Sequence, residues 1–301
     1  MKFGVLDNTA NVDFTFPPIV NRMDDGSVEK ETSLKFYFGG PVWGDKNYLG
    51  NVFPLKTKQK DFLKIYSTQF NSIEVNATRY GTPKLETITH WRDEVTDGFK
   101  FSMKIPQVVT HRKDINDDLA RFKLDEFLVA LDTLGHKNGV SFGVMANYLR
   151  PDNFKGLEQF VKSFPQDMQF ALELRAPEWF SDAVILQEWQ HLFSENNIIP
   201  VLTDTPGRRD VLHFCVVNNH FFARYVGRYD DKSEAFRIVQ WVNRIEELIS
   251  KGVNTFWFYV HEGDNRAFTL YFFNDLIAQL NQQLKCEIPL LKDYSASSLF
   301  V

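Results

Sequence analysis

Three acids and three cations recur at one kind of position in this chain. Short apolar runs carry a charged or amide residue at or near their carboxyl ends. They are Glu74 and Asn76 in SIEVN, Lys104 in FKFSMKI, Glu173 and Arg175 in QFALELR, Asp204 in IIPVLTD, Arg224 in FFARYVG and His261 in FWFYVH. Guanidinium groups grip carboxylate or phosphate through paired N–H donors, and an ammonium adds a point charge. Lys104, Arg175 and Arg224 therefore suit an anion. Glu74, Glu173 or Asp204 suits a general acid or base whose pKa is set by burial and neighbouring cations. His111, in PQVVTHRKD, adds a proton carrier or phosphate donor. Such a set fits a hydrolase or lyase acting on a phosphate-containing substrate by acid–base chemistry.

These residues need a scaffold that brings separate segments to one place. Eight short aromatic or β-branched runs supply it, at 36–40, 72–76, 99–105, 141–146, 169–175, 198–204, 221–227 and 256–261. Between them apolar residues recur at helical spacing, as in Phe62, Ile65, Tyr66 and Phe70, or Leu124, Phe127, Leu128, Leu131 and Leu134. Thr82-Pro83, Ser181-Asp182 and Gly252 read as helix start and stop signals. Eight β/α repeats predict a (β/α)8 TIM-like barrel, an α/β fold of about 250 residues. An open doubly wound sheet is the rival, but GGPVWGDKNYLG after the first run has no G-x-G-x-x-G or Walker pattern. In a barrel, function sits at the carboxyl ends of the strands. Side-chain alternation then turns Glu74, Asn76, Ser102, Lys104, Glu173 and Arg175 into the lumen, and gives Tyr259 and His261 one parity. The competing reading is an ionic layer that only plugs the barrel, because buried charges must pair.

Composition sets the outer limits. The chain has 301 residues, 44% hydrophobic and 24% charged, with 29 Phe. This describes a globular protein with an aromatic core. Residues 1–33 read as an N-terminal extension on the surface, and 34–301 as a single barrel domain with a short C-terminal tail. The net charge of −5 argues against general duplex binding. Two unpaired cysteines, Cys215 and Cys286, exclude a disulfide scaffold and fit a reducing cytosol. No signal peptide or membrane span is expected, which suggests a cytoplasmic location without membrane partners. His111, Glu173, Asp204, His261 and Glu262 are metal-ligand types, but no H-x-H or H-E-x-x-H spacing gathers them. No resident metal is assigned, although the acids offer oxygens to a divalent metal arriving with substrate. Trp43 and Trp179-Phe180 follow strand ends, where they flank a ring or sugar or simply pack on the barrel.

Several segments, in one order, resemble the YecE-like family, domain of unknown function seventy-two. They are FGGPVWG, SIEVNATRYGTP, HWR, FKFSMKIP, LARF, LELRAPEWF, TDTPGRRD and ARYVG. The resemblance implies a TIM-barrel-type fold. It also implies one functional mouth containing Glu74, Asn76, Thr78, Tyr80, Lys104, Pro106, His111, Glu173, Arg175, Trp179, Asp204 and Arg224, but no reaction. The chain departs from the family pattern at 144–148, at Ala176 and at Val260-His261-Glu262. Some members end like Ser298-Leu299-Phe300, which is similar to part of a bacterial sliding-clamp-binding peptide. A non-catalytic adaptor of nucleic-acid processing is therefore the alternative reading.

Overall fold

The computed structural model describes residues 4, 6, 8, 9, 11–23, 33–227, 231–261 and 268–295. In chain order the elements are β1 (Ile19–Asn21), β2 (Lys35–Gly39), α1 (Phe62–Gln69), β3 (Ser72–Val75), α2 (Leu85–Glu94), β4 (Lys100–Met103), α3 (Gln107–Thr110) and α4 (Asp118–Leu134). Then come β5 (Ser141–Val144), α5 (Phe154–Lys162), β6 (Phe170–Glu173), α6 (Glu178–Ser181), α7 (Ala183–Glu195) and β7 (Ile198–Asp204). The series closes with β8 (Phe214–Val216), β9 (His220–Val226), α8 (Asp231–Ser250), β10 (Thr255–His261) and α9 (Phe268–Leu284).

Eight of the strands form a parallel TIM-like barrel. Six pair in the order β2-β10-β9-β7-β6-β5, and β3 pairs with β4. Two seams complete the ring. The Ile105 amide donates to the Phe142 carbonyl at 2.8 Å, joining β4 to β5. The Glu74 amide donates to the Gly40 carbonyl at 3.1 Å, joining β2 to β3. Gly39 makes the second seam possible, since a Cβ there would lie 2.1 Å from the Ser72 carbonyl oxygen.

The alternation of strand side chains builds two cores. Val140, Phe142, Val144, Ala171, Ile199, Val201, Phe222, Trp257 and Tyr259 fill the lumen. The opposite faces pack against the helices, where Phe127, Leu131, Phe160, Trp189, Trp241 and Phe273 are buried. Each such large side chain contributes roughly 1.5–3 kcal/mol by leaving water. The carboxylates of Asp117 and Asp182 cap α4 and α7, accepting backbone N–H bonds from Ala120 and from Val184 and Ile185. Gly252, at φ +102°, ends α8 in the left-handed region. Thr82-Pro83 does not start α2: the N-cap position falls on Lys84, with no side-chain cap.

Two short strands escaped the sequence reading. β1 pairs with β8 outside the barrel. The segment before β1 packs there too, with the Phe16 ring 4.8 Å from Phe214 and 5.1 Å from Trp241. Arg209 and Arg244 hold its carbonyls at Phe14, Thr15 and Pro17. Among the described residues no helix is long and apolar enough to cross a membrane.

Candidate functional site

The carboxyl ends of β3, β4, β6, β9 and β10 bring Glu74, Lys104, Glu173, Arg224 and His261 together, with Asn76 and Arg175 one or two residues beyond their strands. Glu74 is fully buried, and Arg224 is 5% exposed. Arg224 Nε donates to Glu74 Oε2 and Nη2 to Oε1, both at 3.0 Å. Its Nη1 donates to Glu173 Oε2 at 2.9 Å. Arg175 holds the same Glu173 through Nε at 2.7 Å and Nη2 at 3.1 Å. Asn76 Nδ2 donates to Glu74 Oε1 at 2.7 Å.

Electrostatics follow from this chain of pairs. Burial alone raises a carboxyl pKa, but for Glu74 the Arg224 charge and the hydrogen bonds from His261 and Arg224 reverse it. Its pKa sits well below the ordinary value. Glu173 responds likewise to Arg175 and Arg224 and falls to about 2. Arg224, between two carboxylates, is held protonated despite its burial. Both acids are thus anions, each tied to guanidinium.

Lys104 differs. Its Nζ makes one long hydrogen bond, 3.4 Å to Asn76 Oδ1, and has no ion pair among the described residues. It lies 5.6 Å from the centre of the Phe142 ring. Burial first, then the Arg224 charge, lowers its pKa to about 7 against the partial opposition of Glu74 and Glu173. The Thr78 hydroxyl, between the carbonyls of Val75 at 2.9 Å and Lys104 at 2.6 Å, fixes the turns that carry these groups.

His261 Nε2 lies 2.9 Å from Glu74 Oε2 and 3.3 Å from Arg224 Nη2. The shorter contact assigns the proton to Nε2, donating to the carboxylate, and leaves Nδ1 as the basic nitrogen. Burial lowers the His261 pKa, so the ring is neutral near pH 7. Beneath it the Tyr259 hydroxyl meets both Ser72 and Ser102 hydroxyls at 2.6 Å. Ser72 donates to the Lys100 carbonyl, so Tyr259 donates to Ser72 and accepts from Ser102. Strand parity places Ser102 in the lumen and gives Tyr259 the parity of His261; the structure puts both in the lumen, and Ser72, on the Glu74 side of β3, carries the same signal.

Four expected residues are not bonded into this charge cluster. Asp204 is buried on the helix side of β7, because Ile199 and Val201 take the lumen positions. Its partners are Arg209, Arg237 at 3.1 Å and the Trp241 indole N–H at 2.9 Å. Trp179 is fully buried, its N–H donating to the Leu149 carbonyl at 2.7 Å, so it is core rather than a ligand wall. Tyr80 is 82% exposed, its ring 5.9 Å from the Arg79 guanidinium. His111 is exposed on the rim, with Nδ1 2.9 Å from the Thr110 hydroxyl. Partial burial, then Arg79, Lys104 and Arg175, presses its pKa down.

Among the described residues no three His, Cys, Asp or Glu side chains stand together as a metal-ligand set. Glu262 and Ser298-Leu299-Phe300 lie outside the described residues. A separate cavity of about 460 Å³, bordered by Lys35, Tyr37, Lys100 and Trp257, opens at the amino end of the barrel, away from these groups.

Known proteins share this architecture. The chain is 28% identical to the UPF0759 protein YecE of Escherichia coli O157:H7 over 145 residues, 48% of this chain and 52% of that protein. It is 29% identical to the UPF0759 protein YunF of Bacillus subtilis over 153 residues, 48% and 52% of the two chains. These matches span about half the length of those relatives. Among solved structures, DUF72 family proteins from Thermotoga maritima (TM1631) and Enterococcus faecalis (EF0366) superpose with TM-scores of 0.61. Their identities are 19% and 15%, and the superpositions cover 84% of this chain and 100% and 99% of theirs. The family described as protein of unknown function DUF72 matches residues 37–292, which include every residue of the mouth, and the chain belongs to that family.

Proposed function

We propose that the barrel mouth is an active site for a small anionic, phosphate-bearing substrate. Lys104 and Arg175 face the anion, and His261, oriented by Glu74, moves a proton. One observation carries this reading: Lys104 is 3% exposed, yet its ammonium has no carboxylate partner among the described residues. The charges of Arg224 and Arg175 are matched by Glu74 and Glu173. Lys104 is the cation left over, and a bound anion supplies the missing charge. The Glu74–His261 pair has the form of a carboxylate that fixes an imidazole tautomer so that the other nitrogen can act as a base.

The test is thermal. Inorganic phosphate and a panel of phosphorylated sugars and nucleotides should raise the melting temperature of the full chain. Lys104→Gln should abolish the shift, and Arg175→Gln should reduce it. No shift across the panel defeats the reading.

A further inference from the structure

We propose that Lys104 is a nucleophile, its amine condensing with the carbonyl carbon of an anionic keto or aldehyde substrate to give an imine. This rests on the anion-binding reading of the mouth and adds the reacting atom and the substrate class. Three features support it.

The first is hydrogen bonding. An ammonium has three protons to donate, and Lys104 has one acceptor, Asn76 Oδ1 at 3.4 Å, among the described residues. A neutral amine makes the smaller demand on so poor a set of acceptors. The second is the surrounding charge. Arg224 and Arg175 repel the ammonium, while Glu74 and Glu173 attract it from positions already occupied by those arginines. Desolvation beside another cation is a recognised way to make a lysine nucleophilic at neutral pH. With a pKa of about 7, a large fraction of Lys104 is free amine there.

The third is proton traffic. Asn76 links Lys104 to Glu74, and Glu74 holds His261. These bonds fix the three side chains relative to one another and pass no proton, because an amide is not a proton carrier and Glu74 stays an anion; imine formation needs a separate acid–base group. The Nζ lone pair attacks the carbonyl carbon, the π pair moves to oxygen, and that oxygen takes a proton. The resulting carbinolamine loses its hydroxyl as water when a second proton reaches it. Both amine hydrogens have then left nitrogen, a C=N bond has replaced C=O, and nothing is oxidised or reduced. His261 Nδ1 carries the proton off nitrogen and onto the departing oxygen.

The experiment is reductive trapping. The full chain is incubated at pH 7 with pyruvate or dihydroxyacetone phosphate and sodium cyanoborohydride, then analysed by intact mass and peptide mapping. The expected result is addition of the probe less one oxygen at Lys104, several-fold faster than at any other lysine and slowed by inorganic phosphate. Labelling of Lys104 no faster than that of surface lysines overturns the proposal. Mapping of the unmodified sequence needs no variant, so a misfolded Lys104→Arg protein would not obscure the answer. The phosphate thermal shift, measured on the same sample, separates the two readings. A shift without selective labelling defeats the imine and leaves the anion site standing. Selective labelling without a shift supports the imine and defeats the phosphate reading. Neither signal defeats both.

Discussion

Arg224 and Glu74, 150 residues apart in sequence, meet through two hydrogen bonds of 3.0 Å across the lumen of the barrel. The arginine spends its third contact on Glu173. One guanidinium therefore bridges two buried carboxylates from two strands and fixes the distance between them, while Arg175 supplies the second positive charge. Such a group is structural before it is anything else.

Replacing Arg224 by Met should be severe. It leaves both carboxylates with fewer donors in a dry site, and removing one partner of a buried ion pair costs about 3–5 kcal/mol. Urea unfolding of the variant measures it. A loss below about 1 kcal/mol would mean that water reaches the pair freely.

Acid should attack the same network. The Glu173 pKa falls from 4.5 in the unfolded chain to about 2 in the folded one. Between those values the unfolded state binds more protons, so this contribution is present above pH 4.5 and is lost as the pH drops toward 2. Glu173→Gln removes it. The stability gap between parent and variant should close across that window when melting is followed against pH, and a constant gap would contradict the assignment.

Lys104 carries the opposite sign. Its pKa falls from 10.5 to about 7 on folding, so the unfolded chain holds the proton more tightly and stability rises with pH between those values. Lys104→Met should stabilise the protein most below pH 7, on the order of 5 kcal/mol less the packing lost with the lysine stem. The gain should shrink toward pH 10.5. Phosphate affinity, read by calorimetry, should weaken above pH 7 as the ammonium is lost. A pH-independent affinity would remove Lys104 from the anion site.

Asp204 separates stability from binding. Asp204→Asn weakens the acceptor for Arg209 and Arg237 on the helix side of the barrel. It should lower the melting temperature while leaving the phosphate-induced shift intact. Loss of that shift in a folded variant would place Asp204 in the mouth after all.

What could be read from the sequence follows the reach of a period. The eight runs became the eight barrel strands because alternation and β-branched or aromatic content act over a few residues. Parity on β3, β4 and β6 orients Glu74, Lys104 and Glu173 from the sequence itself. Asp204 was placed by strand position alone; the same parity, applied to Ile199 and Val201, turns it toward α8. Trp179 follows a strand end, and sequence alone does not say whether an indole there meets a ligand or the next helix. β1 and β8 span three residues each, too short to show any alternation. The pairing of charges was the least legible part. Which carboxylate saturates which guanidinium, and that Lys104 is left over, depends on distances between strands that no local pattern encodes.

The fastening of the segment before β1 has a bearing on how the chain matures. Phe14 and the guanidinium that binds its carbonyl stand 195 positions apart. Made before β8 and α8, this segment has no seat until they exist. Until then Phe14 and Phe16 stay uncovered, a stretch of greasy chain for a chaperone to shield, and the segment docks only after most barrel strands have been made.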